Sequence, residues 1–219
     1  MKQHSQVTKA LLYCGVVGGF LFIFVFMLLG VVLEGYDPIR HTVSSLAIGS
    51  KGWIQIANFI VNGMLFLLCA QGMRRMFTGD SGEVWGPRLI AIFGFALIGA
   101  GIFVTDPEFG YPPGTPPGPA KVTTWHGEWH GLFAILLFVT LMIACFVFAR
   151  RFWSKTDGRK WAIYSIITGG IIFIFMVLTF NSSSISLVQI HGVLQKMIII
   201  PGWVWISLLS MRLLKELNQ

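Results

Sequence analysis

Two histidines stand four residues apart in "TWHGEWHG", His126 and His130, where a long apolar run begins. On a helix that spacing puts both imidazoles on one face, one turn apart, where they can share a metal ion. Glu128 is turned by about 200° from His126 at 100° per residue, so it points away from the pair. The zinc-protease pattern H-E-x-x-H needs its glutamate directly after the first histidine, and "HGEWH" supplies it one residue late. That excludes the zinc-protease assignment and leaves half of a metal site.

The other half has to come from other segments. In "EGYDPIRHTVSSLAIGSKGW" the pair Asp37-Pro38 predicts an N-cap followed by proline at the first helical position, opening a short helix that Gly49 ends. On that helix His41 lies over Ser44 and Ser45. His191 follows in a later segment, with Gln195 one turn deeper on the same face, and Asp106 precedes Pro107 at the end of another apolar run. His41, His126, His130 and His191 would supply metal ligands and a base. Asp37 or Asp106 would orient an imidazole or activate water, and Ser44 and Ser45 offer hydroxyls. Imidazole suits zinc, and no thiolate stands near these segments, so Zn is the expected ion.

The elements that must position these groups are membrane helices. Of 219 residues 55% are hydrophobic and 11% charged, far below the roughly one quarter charged of a soluble domain. Six apolar runs, at about 11–33, 53–73, 87–105, 128–149, 161–180 and 192–211, each suffice to cross ~30 Å of hydrocarbon. The fold class is therefore all-α, one polytopic six-transmembrane-helix bundle. The first run lacks a small-x-small cleavage site before Glu34 and is read as a retained helix.

Charge orients the bundle, because Lys and Arg near helix ends resist translocation. With the N-terminus inside, the inner segments hold Lys2, Lys9, Arg74, Arg75, Arg88, Arg150, Arg151, Lys155, Arg159, Lys160, Arg212 and Lys215, and the outer ones only Arg40, Lys51, Lys121 and Lys196. Both termini are then cytoplasmic in a plasma (inner) membrane, and four of the five histidines lie at the outer face, with His4 inside. The net charge of +7 serves topology and anionic lipid and implies no nucleic-acid partner. Cys14, Cys69 and Cys145 all fall inside helices, so no disulfide is expected.

Two further features bear on a site. Gln55, Asn58 and Asn62, at i, i+3 and i+7, form a stripe that hydrocarbon would not tolerate, so it faces the bundle interior or a wet cavity. The outer loop 106–125 holds "EFGYPPGTPPGPAKVTT", too rich in proline for helix or ladder strand, where Tyr111 stands either in a stiff lid or in a plain spacer. Trp125 and Trp129 read as interfacial anchors, Lys196 as a snorkelling lysine, and Pro201 as a kink. Gly15 with Gly19, and Ala96 with Ala100, are small-xxx-small packing pairs.

The strings "DPIRHTVSSLAIGSKGWIQIANFIVNG", "GIFVTDPEFGYPPGTPPG" and "TWHGEWH", with the spacing of the six runs, resemble a bacterial family catalogued as domain of unknown function 998. The resemblance covers most of the chain and implies a six-helix inner-membrane protein without supplying an activity. Asp37, His41, Ser44, Ser45, Asp106, His126 and His130 match its pattern. A looser likeness is to the alkaline ceramidase and progestin-receptor-like intramembrane hydrolases, which use three histidines, an aspartate and a serine around zinc. This chain departs from them in having six helices and in placing H-x-x-x-H at the start of the fourth.

Three functions follow as alternatives: a metal-dependent hydrolase or transferase acting on a lipid or other amphiphile, a haem or quinone redox protein with histidine axial ligands, and a non-enzymatic accessory or transport protein. The absence of charge in the middle of the runs argues against an ion-coupled pump. The first alternative predicts zinc in the purified protein, lost when His126 and His130 are both replaced by alanine, as element analysis would show. A Soret band would mark the second, and full complementation of a deletion strain with all four outer histidines replaced by alanine would mark the third.

Overall fold

Residues 2–77, 81–120, 122–182 and 187–218 are described by a computed structural model; Lys121 of the proline-rich loop and residues 183–186 before the last helix lie outside them. Among the described residues six long helices form: α1 Lys2–Val32, α2 Trp53–Met76, α3 Ser81–Ile102, α4 Trp125–Trp153, α5 Arg159–Phe180 and α6 His191–Leu217. All six are long and apolar enough to cross a membrane. Hydrocarbon offers no partner for a free N–H or C=O, so the helix, which pairs its own backbone, is the form such runs take. Several helices overrun the expected boundaries, notably α1, α4 and α6 at their basic ends. Hydropathy marks where the apolar window stops, whereas the backbone ladder continues through the interface on lysines and arginines that tolerate it.

Each helix packs on the next in sequence, and α6 closes the ring against α1. Aromatic rings fill the middle. The Trp203 ring stacks on Phe22 at 5.0 Å between centroids and meets Phe93 edge to face at 4.9 Å. Phe66 adds a second edge-to-face contact at 6.4 Å. At the basic end Glu216 holds Lys155 at 2.8 Å, Arg212 at 3.4 Å and Arg151 at 3.5 Å, which fastens the exit of α4 to the end of α6. The cysteines are free, and Cys69 and Cys145 are buried.

Ring closure depends on small residues, because helices in lipid associate by close packing and not by hydrophobic exclusion. A Cβ at Gly15 would run into Ser210 and Cys69, and one at Gly19 into the Ser207 hydroxyl and, at 2.5 Å, the Trp203 carbonyl oxygen. The Ser207 hydroxyl in turn donates to the Val16 carbonyl at 3.0 Å. The Gly15/Gly19 pair thus lets α1 approach α6 backbone to backbone, as its spacing suggested.

The loop between α1 and α2 departs from expectation. No single short helix runs from Asp37 to Gly49. A turn closed by His41 N–H on the Asp37 carbonyl (2.7 Å) comes first, and a separate one-turn 3-10 segment follows at Ser44–Ala47. Asp37 uses its carboxylate on the Ile39 N–H (2.8 Å), a turn of its own that stops helix from propagating. The segment ends at Ala47 with the extended Ile48 as its cap, and Gly49 follows in the left-handed region at φ +85. Replacing Gly19 with valine is expected to cost about 1–3 kcal/mol by forcing α1 and α6 apart; thermal unfolding in detergent would register it as a lowered midpoint, and an unchanged midpoint would refute the close-packing account.

Candidate functional site

In the two-segment loop the His41 ring bonds to Asp37 and Phe109, and the Ser44 hydroxyl is aimed at α4 instead. Ser44 Oγ lies 3.0 Å from His130 Nε2, and both residues are buried. His130 Nδ1 faces two carbonyl oxygens, Phe103 at 2.7 Å and Ala100 at 3.0 Å. Carbonyl oxygens only accept, so Nδ1 must carry the proton, Nε2 must present its lone pair, and the Ser44 hydroxyl must donate to it. Ala100 is in the last turn of α3 and Phe103 directly follows its end, where helix geometry leaves oxygens without a partner. A hydroxyl is thereby hydrogen-bonded to an imidazole nitrogen whose tautomer and orientation are set from behind.

His41 has the opposite tautomer for the same kind of reason. Its Nδ1 accepts the Asp37 N–H at 2.9 Å, so Nε2 carries hydrogen and donates to the Phe109 carbonyl at 3.0 Å. The imidazole is a strap between the first loop and the proline-rich one. Around it the Tyr111 ring packs against His41 at 5.3 Å and against Tyr36 at 5.5 Å, and Tyr111 is 3% exposed, so this part of the loop covers the first loop instead of trailing past it.

Lys196 does not snorkel to open water. Its ammonium donates to the carbonyls of Pro38 (2.8 Å), His41 (3.0 Å) and Gly192 (3.2 Å) and to the Tyr36 hydroxyl oxygen (3.1 Å). Tyr36 in turn donates to the His41 or the Thr42 carbonyl. Gln195 Oε1 accepts the Val43 N–H at 2.7 Å, and the Gly192 and Val193 N–H groups donate to Arg40 and Ile39 carbonyls. The start of α6 and the first loop therefore satisfy each other's backbone. Burial drives the Tyr36 hydroxyl pKa well up, with the neighbouring Tyr111 and Asp37 adding to it, and so keeps it a neutral donor.

The amide stripe of α2 is wholly inward: Gln55 and Asn62 are 0% exposed and Asn58 5%. Asn58 Nδ2 donates to Gln55 Oε1 (3.1 Å) and to the Phe22 carbonyl (3.2 Å), and Asn62 Nδ2 donates to Asn58 Oδ1 (2.7 Å). The ladder runs one way, so it leaves a donor, Gln55 Nε2, at one end and an acceptor, Asn62 Oδ1, at the other, both buried without a protein partner. Gln55 lies one turn before Phe59, whose ring meets that of His130 at 6.5 Å.

A family model described as protein of unknown function, DUF998, matches residues 16–212. The chain belongs to the DUF998 family. Searches of curated proteins and of solved structures find no match.

In this DUF998 protein the expected four-histidine ligand set is not drawn together. Among the described residues no three His, Cys, Asp or Glu side chains lie where one ion could join them. His41 and His130 each have both ring nitrogens engaged. His126 is exposed, its ring lying on Trp125 at 3.8 Å, and His191 packs by its ring edge against Phe109 at 6.2 Å with Nδ1 buried and unpartnered. The arrangement as it stands does not fit a shared zinc ion.

Nor do the aspartates of this DUF998 protein reach an imidazole with their carboxylates. Asp106 accepts the Thr124 N–H (2.9 Å) and hydroxyl (2.7 Å), while Thr124 Oγ1 caps α4 by accepting the Gly127 N–H (3.2 Å). A Cβ at position 127 would strike the Asp106 carboxylate, which is why glycine interrupts "HGEWH". Ser45 bonds within its own turn, to Thr42 Oγ1 at 2.9 Å. Reasoning from the residues alone missed Tyr36, Phe109 and Thr124. Two of these act through a backbone oxygen or a cap, and only the Asp-Pro and Thr-Trp-His boundaries signalled them.

One carboxyl in the covering loop is poised to titrate. Burial, reinforced by Asp106 nearby, raises the Glu108 pKa from the ordinary 4.5 to about 7. The closed loop thus holds a proton that an opened loop releases between those values, so closure is strongest below pH 4.5 and weakens as pH rises towards 7. Hydrogen exchange at Phe109, whose N–H donates to the Gly118 carbonyl at 2.6 Å, is expected to show protection falling over that interval once intrinsic rates are removed. Glu108→Gln is expected to flatten the profile; rising protection over the same interval would contradict the assignment.

Proposed function

We propose that the protein is a serine-dependent hydrolase or transferase acting on the carbonyl of a lipid-like substrate at the loop end of the bundle. The observation that carries this is the 3.0 Å bond from the Ser44 hydroxyl to a His130 Nε2 whose Nδ1–H is held by two carbonyls. A serine hydroxyl is a weak nucleophile until an adjacent base takes its proton, and a third group behind the base sets its tautomer. In this site backbone oxygens do what a carboxylate does in a Ser-His-Asp triad.

The step follows from those atoms. Ser44 Oγ attacks the substrate carbonyl carbon as its proton passes to His130 Nε2, and the imidazolium is steadied through Nδ1–H by the Phe103 and Ala100 oxygens. The tetrahedral intermediate collapses as Nε2 returns the proton to the departing alcohol or amine. Water, or an acceptor alcohol, then repeats the sequence on the acyl-serine. Gln55 Nε2–H, the free donor beside Phe59, would serve the developing oxyanion. Headgroup-level placement favours an amphiphile: His130 lies in the second turn of α4, within about 8 Å of its start at 1.5 Å per residue. The charge bias favours the outer leaflet for this end.

Entry requires the Glu108–Tyr111 region to lift, since Tyr111 and Phe109 cover the first loop.

A fluorophosphonate probe applied to native membranes is expected to label the protein at Ser44. Ser44→Ala is expected to abolish labelling, and His130→Gln to slow it by roughly 10²–10⁴-fold. Equal labelling of Ser44→Ala, or no labelling of the wild type by short- and long-chain probes alike, would sink the reading. A mere strap between loop and helix would instead lower the thermal midpoint in both variants without any labelled serine to lose.

A further inference from the structure

The bundle carries a second feature at its opposite, basic end, unrelated to Ser44. The last two turns of α4 and the facing side of α5 enclose a groove of about 570 Å³ lined by Phe146, Ala149, Arg150, Trp153, Ser154 and Ile166. Its walls are apolar except for the Arg150 guanidinium and the Ser154 hydroxyl, which is spent on the Arg151 carbonyl at 2.8 Å. Two adjacent arginines divide here. Arg151 turns inward, to Glu216 at 3.5 Å and over the Phe77 ring at 4.2 Å. Arg150 is exposed, turns into the groove, and has no ion-pair partner among the described residues. At the groove's mouth Arg159 lies over the Trp153 ring at 5.8 Å and adds a second cation.

An apolar trough with unpaired positive charge at one end matches an amphiphile whose head is anionic. We infer that this groove is a binding site for an anionic phospholipid of the surrounding leaflet, its phosphate on Arg150 and the tops of its chains against Phe146 and Ile166. The spacing suits it: Phe146 lies one turn, about 5–6 Å, deeper than Arg150 on the same face. The guanidinium fork takes phosphate oxygens two at a time. Trp153 sits at the level where indole rings face headgroups. A zwitterionic lipid fits less well, because its own ammonium would be brought against Arg150 and Arg159 and repelled by both.

The test uses the full chain reconstituted in vesicles that mix brominated phosphatidylglycerol or brominated phosphatidylcholine with unbrominated phosphatidylcholine. Bromine quenches tryptophan on contact, and the difference between wild type and Trp153→Phe isolates the signal of the groove. The expected result is about a fivefold preference for phosphatidylglycerol at Trp153, the gain of one cation near a lipid phosphate. In Arg150→Gln the preference is expected to fall, and in Arg150→Gln/Arg159→Gln, two exposed positions whose change leaves packing intact, to reach about one, whereas in Lys51→Gln, at the other end of the bundle, it persists. Equal quenching by both lipids in the wild type, or a preference left undiminished by Arg150→Gln, would overturn the assignment.

Discussion

A helix that ends inside or near hydrocarbon leaves carbonyl oxygens that no water can satisfy, and α3 meets that requirement with an imidazole. His130 donates through Nδ1 to the Phe103 and Ala100 oxygens, which ties α4 to α3, and that bond forces the other nitrogen to act as an acceptor. The Ser44 hydroxyl supplies the donor. The position of the first loop, the tautomer of the base and the direction of the serine all follow from that one helix end.

The same demand organises everything at the loop end. Lys196 gathers three carbonyls and a phenol oxygen, Gln195 takes the Val43 N–H, and the first N–H groups of α6 go to Ile39 and Arg40. His41 and Tyr111 then fasten the proline-rich loop over the top. Polar residues that look like a catalytic inventory are for the most part spent on backbone groups, and the pair left facing each other, Ser44 and His130, stands out because the others are accounted for.

Much of this was legible beforehand. The six apolar runs, the inward amide stripe and the glycine pair between α1 and α6 are local in the chain and the structure bears them out, while the family model bears out the likeness carried by "DPIRHTVSSLAIGSKGW". The four outer histidines are not drawn together among the described residues. Spacing of i and i+4 puts His126 and His130 on one side of α4, but the chain turns between them from the exposed interface to the buried interior, so one ring rests on Trp125 and the other is walled in. The spacing of His41 and Ser44 suits one continuous helix, which the Asp37 turn interrupts.

Sequence alone determined the solvent of each segment, because apolar content and length are properties of a run by itself, and with that the all-helical architecture and the sorting of imidazoles towards one end. Tertiary structure alone decided which polar group meets which. Residues 44 and 130 are 86 apart, and their contact depends on where α3 stops, how the first loop turns and how the ring of helices closes. None of these is a property of either segment, since each is settled by the need to pair backbone groups contributed by another.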